Sequence, residues 1–129
     1  MSMKENKVET NLPDFDDLFE ISQNIAHLKK SIGILSAVLT DRVAEITANV
    51  TQSEQYTIKN KPPSMDYVKN TYQILGRNDT EKEWLRAKRV EIAEAESELK
   101  KNELDFQIMR MQIDVWRTEN ANQRRLSYD

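Results

Sequence analysis

The chain has no cysteine, one histidine (His27), two glycines (Gly33 and Gly76) and three prolines (Pro13, Pro62 and Pro63). Each scarcity excludes something. Without thiols there is no disulfide, no thiolate nucleophile and no cysteine-ligated zinc or iron–sulfur centre, a composition suited to the cytosol. Two isolated glycines cannot build a phosphate loop, a dinucleotide fingerprint or a nucleophile elbow. His27 lies between Ile25 and Leu28 with no second histidine to share a metal, so it reads as a surface or seam-edge residue. No apolar run approaches the ~18 residues of a membrane span, and residues 1–12 carry no apolar stretch of the signal-peptide kind. The acidic run Glu91, Glu94, Glu96 and Glu98 is interleaved with Ala93, Ala95 and Leu99, which marks a solvated helix face rather than a catalytic pair. The expectation is a soluble, cytoplasmic, non-enzymatic protein with no metal, cofactor or membrane partner.

Two heptad ladders fill what remains. In the first half Leu18, Ile21, Ile25, Leu28, Ile32, Leu35 and Leu39 alternate in steps of three and four. In the second half Leu85, Lys88, Ile92, Ala95, Leu99, Asn102, Phe106, Met109, Ile113 and Trp116 do the same. A mean step of about 3.5 keeps one helical stripe turned toward a partner helix, whereas a strand would alternate by two. The spacing predicts an all-α protein with a tail at residues 1–12, helices over about 14–55 and 81–122, and a short helix over 65–75. Asp14 is placed to cap the first helix, with Asp16, Asp17 and Glu20 complementing its dipole. Pro62-Pro63 breaks the chain, Ser64 caps the short helix and Gly76 stops it. Thr80 and Glu83 suggest a capping box for the second long helix. On the short helix, Met65, Val68, Tyr72 and Leu75 fall on one face at regular α spacing.

Matched helices of about 40 residues favour an antiparallel, coiled-coil-like hairpin, a single domain over residues 13–129. Apolar residues at Ile34, Ala37 and Val38 widen the first stripe around Gly33. A lone hairpin would leave such a stripe wet, which points to a homo-oligomer, a larger bundle or ring. The candidate oligomer interface is Leu18, Ile25, Ile32, Leu35, Leu39, Asn102, Phe106, Ile113 and Trp116. Asn102, at an inward position, could set register, while Lys88 would snorkel outward.

Charge is unevenly distributed. Residues 1–55 carry five basic and nine acidic groups, residues 56–89 eight and four, and residues 90–129 six and nine. The connector thus has net charge +4 between flanks of −4 and −3. Within it Lys59, Lys61, Lys69 and Arg77 supply cations for phosphates, and Tyr67 stands beside Lys69 and off the apolar face, where an unstacked base could reach it. The plain alternative is that the lysines only solubilise and the tyrosines only pack.

The segment Lys61-Pro62-Pro63 followed by Ser64-Met65-Asp66-Tyr67-Val68-Lys69, and the helix ending Ile113-Asp114-Val115-Trp116-Arg117, resembles small phage recombination mediators of the UvsY type. The resemblance covers mainly residues 55–120, with the first helix similar in length only. It implies a cytosolic oligomer that binds single-stranded DNA, weakens the hold of a single-strand-binding protein and helps load a RecA-like recombinase. The chain departs from that pattern in having few basic residues on the first helix and no glycine after the tryptophan segment. A competing reading is a coiled-coil structural, scaffolding or adaptor protein acting only through protein contacts. A third is a small inhibitor that covers a host protein with one helix face.

Overall fold

The structure, a computed structural model, describes residues 14–128, with side chains through Arg125. The expected tail at residues 1–12 lies outside them. Helix α1 spans Phe15–Gln52. A 3₁₀ turn, Glu54–Tyr56, leads to a tight turn at Ile58 and Lys61. Helix α2 is built from three contiguous pieces: an α turn at Met65–Tyr67, a π-helical segment at Val68–Tyr72 and an α turn at Gln73–Leu75. Helix α3 spans Asp79–Tyr128. No β-strand occurs among the described residues, only the single bridge between Ile58 and Lys61.

The helix ends follow local chemistry. Asp14 caps α1 as expected, its carboxylate accepting from the amide of Asp16 at 3.0 Å. The other end falls at Gln52, three residues before the expected 55, because Ser53 leaves the helix to cap the 3₁₀ turn. Ser64 caps α2 by accepting from the Tyr67 amide at 3.2 Å. The start of α3 corrects the Thr80–Glu83 capping box. Asn78 is the cap, accepting from the Glu81 amide at 2.9 Å, and Glu81 reaches back to the amide of Arg77 at 2.8 Å. Gly76 ends α2 with φ 70° and ψ −176°, a conformation that is essentially glycine's alone. A Cβ there would also meet the Cβ and Cγ of Glu81 at 2.9 Å. Gly76→Ala should therefore lower stability by about 1–3 kcal/mol in chemical denaturation.

Contacts divide the described residues into two compact units, residues 14–29 with 97–128, and Lys30–Glu96. In the first, Phe15 and Leu18 share an opening with Phe106 and Ile113, so early α1 pairs with late α3. In the second, Ile46 and Val50 of α1, Val68 of α2 and Leu85 of α3 form a fully buried core. Leu39, Val43, Tyr56, Tyr72 and Trp84 pack around it. Within this unit late α1 thus pairs with early α3.

The ladder positions are the half-buried ones along both long helices, including Leu18, Ile25, Ile32, Leu35, Leu39, Asn102, Phe106 and Ile113. In the structure these candidate interface residues form the seam positions of the chain itself. Asn102 donates to its own helix at the Glu98 carbonyl, 2.8 Å away, and Trp116 stays 37% exposed. From Arg42 onward the α1 stripe turns, with Val43, Ile46 and Val50 covered and Asn49 exposed. The threonines in this stretch satisfy their hydroxyls on their own helix, Thr47 donating to the Val43 carbonyl and Thr51 to the Thr47 carbonyl, each at 2.8 Å.

The short helix departs from regular α phase. In its π segment the Gln73 amide reaches back five residues to the Val68 carbonyl. Val68 and Tyr72 face the core, while Met65 and Leu75, expected on the same face, are exposed. Gly33, Ile34, Ala37 and Val38 are likewise exposed within the chain, and a Cβ at Gly33 would meet nothing within 4 Å. Gly33→Ala should raise the melting temperature, by the equivalent of about 1 kcal/mol, because helix propensity improves without a clash.

Candidate nucleic-acid interface

The connector places its charges by two different devices. At the tight turn, Lys59 and Asn60 have φ of 53° and 66°, both left-handed. Ile58 and Lys61 exchange two backbone hydrogen bonds across it, at 2.8 and 3.1 Å. That is the two-residue hairpin geometry for which Asn-Gly is favoured, so lysine at the first left-handed position works against local preference. Lys59 and Lys61 are both exposed. Lys69, on the π segment, is exposed as well. None of the three forms an ion pair among the described residues, whose pairs are confined to Arg42, Glu45, Arg77, Glu81, Lys88 and Glu91.

Tyr67 follows Ser64 by one turn and remains 44% exposed. Its ring packs edge-on against Tyr72 at 5.9 Å between centroids, and Tyr72 packs edge-on against Tyr56 at 5.2 Å. The result is a row of three rings, inner members covered and outer member open. Burial, then the neighbouring phenols of Tyr67 and Tyr56, raises the pKa of Tyr72. Tyr67 is therefore oriented from behind by one aromatic contact, worth about 0.5–1.5 kcal/mol, with part of its surface left to solvent.

Arg77, expected to contact phosphate, has its guanidinium engaged within the chain. Its Nε and Nη2 atoms bind the two carboxylate oxygens of Glu81 at 2.9 and 2.7 Å. Its Nη2 also lies 3.6 Å from Glu45, and Arg42 approaches Glu81 at 3.7 Å. Glu81 is only 7% exposed. The hydrogen bonds from Arg77 outweigh burial and hold the Glu81 carboxyl below its usual range. Over this cluster stands Trp84, with the Arg42 guanidinium 4.8 Å from its ring centroid and the Lys88 ammonium 5.7 Å away. Lys88 pairs with Glu91 at 3.4 Å, and Arg89 donates to the Gln73 carbonyl at 2.6 Å, closing the end of α2.

Arg42, Glu45, Glu81 and Trp84 were not picked out from sequence. The one signal was Arg77 and Glu81 four apart beside a glycine, a spacing that usually marks a weak surface pair. His27 is exposed, and no group of three or more potential metal-binding side chains occurs among the described residues. No helix among them is long and apolar enough to cross a membrane. Comparison with protein-family models, with curated proteins and with solved structures finds no match to this chain.

Proposed function

We propose that this chain is a non-enzymatic, self-associating accessory protein that holds single-stranded DNA at its connector. Lys59, Lys61 and Lys69 contact phosphates and Tyr67 stacks on a base. The observation that carries the reading is the set of three exposed, unpaired lysines accompanying an open tyrosine face, in a chain whose flanks are acidic. Cationic side chains with an aromatic platform are what a sequence-tolerant single-strand site needs. With the resemblance to recombination mediators, the same site suggests a role in displacing a single-strand-binding protein and loading a RecA-like recombinase. Fluorescence anisotropy with a labelled oligonucleotide at low and moderate salt, beside light scattering for mass, tests it. Salt-sensitive binding is expected; absence of binding at low salt ends the reading.

A second reading, protein assembly alone, is favoured by a different observation. Leu104, Ile108, Met111 and Val115 recur in steps of four, three and four on α3 and are all more than half exposed. Their register is opposite the seam of Leu99, Asn102, Phe106 and Met109, so they form a second apolar stripe. A scaffold or adaptor would use such a stripe for a partner helix. Self-association without DNA binding is the result that selects this reading.

A further inference from the structure

Two exposed patches of this molecule combine apolar surface with charge of opposite sign. At the start of α1, Asp14, Asp16, Asp17 and Glu20 surround Phe15 and Phe19, and no lysine or arginine follows before Lys29. Capping and the helix dipole account for the carboxylates. They do not account for Phe19, 65% exposed, or for the outward part of Phe15, which borders the opening with Phe106 and Ile113 yet stays 68% exposed; the two stand one turn apart. In the connector unit, α2 and α3 line a shallow groove. Its floor is Ile74, Leu75, Val90 and Ala93, and its rim is Lys82, Arg86 and Arg89. All four floor residues are exposed, and Lys82 and Arg86 have no acidic partner among the described residues.

We infer that this groove is the docking site for the α1 start of a second copy of the chain. The two surfaces are complementary in sign: Asp16 flanks the ring pair on α1, where it can meet the basic rim, and Asp14, Asp17 and Glu20 add negative potential from the rest of the first turns. The two rings, about 5–6 Å apart at their Cβ atoms, supply paired aromatic anchors for an aliphatic floor, the kind of contact that dominates binding energy. Each copy offers one groove and one ring pair, so the contact is heterologous: copies join head to tail and close into a ring, or continue as a filament, according to the rotation between neighbours. Lys59, Lys61, Lys69 and Tyr67 line no part of the groove, so the inference stands apart from DNA binding.

Sedimentation velocity on the full chain tests it. Wild type self-associates, and less so as salt rises, because the rim charges are screened. Phe19→Glu and Arg86→Glu each weaken association by more than about tenfold, with helical circular dichroism unchanged. Phe19→Glu keeps a sound groove and Arg86→Glu a sound ring pair, so mixing the two variants yields a complex of two chains that cannot grow. The milder Phe19→Ser and Arg86→Gln show the same pattern if the reversals disturb folding. A wild type that remains monomeric, either pair of variants associating like wild type, or a mixture that stays monomeric overturns the inference. So does a monomeric wild type that binds a synthetic acidic, phenylalanine-containing peptide, since the groove would then serve a different protein.

Discussion

Arg77→Ala should destabilise the protein by about 3 kcal/mol or more, the range for breaking a buried ion pair from one side. The cost comes less from the lost attraction than from what is left. Glu81, 7% exposed, would keep a carboxylate whose two oxygens now bind Arg77 at 2.7–2.9 Å. Arg42, at 3.7 Å, is too distant to replace that fork. Replacing both partners with apolar residues of similar volume, Arg77→Met with Glu81→Leu, should recover most of the loss. Acid acts on the same pair. The Glu81 carboxyl is held below the ordinary glutamate value of 4.5, so its contribution is fully present above that pH and is lost as pH falls through the lower folded value. Urea midpoints measured from neutral pH downward should show this loss in wild type and less of it in Glu81→Gln. An Arg77→Ala midpoint equal to wild type would mean the cluster is an ordinary surface pair.

Replacing Lys59, Lys61 and Lys69 together by glutamine should nearly abolish single-strand binding at moderate salt and flatten its salt dependence by about two units, at roughly 0.7 per phosphate contact. Tyr67→Ala should instead cost about 1–3 kcal/mol for a stacked base with little change in the slope. The two responses separate charge from stacking. Lys59→Gly is the sharper probe, because the left-handed φ of 53° suits glycine better than lysine. It should hold or raise thermal stability while weakening DNA binding. If neither the triple variant nor Lys59→Gly alters affinity, the lysines merely solubilise the connector.

The seam was legible because burial on a helix repeats with its turn. The half-buried residues of α3 run through Leu99, Asn102, Phe106, Met109 and Ile113 as the heptad requires, and even Lys88 sits inward with its ammonium escaping toward Glu91 and Trp84. The sideways drift at Val43 and Val50 could also be read, since helical phase alone produces it. Helix ends were harder. Asn78 and Thr80 are both good caps, and the choice fell to Asn78 because Glu81 could then reach Arg77. The connector separated along similar lines. That Lys59, Lys61 and Lys69 are exposed follows from their type, but the withdrawal of Arg77 depends on Glu81, Glu45 and Arg42 converging from two helices. No spacing rule carries that information.

The π segment of α2 acts as a phase shifter. One additional residue in its turn displaces everything beyond it by about 100° relative to an unbroken helix. Leu75, which regular α spacing would put on the face of Val68 and Tyr72, owes its outward position to that offset, while Tyr67 and Lys69 lie before it or within it. Removing one residue, such as Asn70, would restore a uniform backbone ladder yet swing one set of side chains away from the other. The short helix therefore tolerates substitution far better than changes in length, and its residue count, more than its composition, keeps both surfaces available at once.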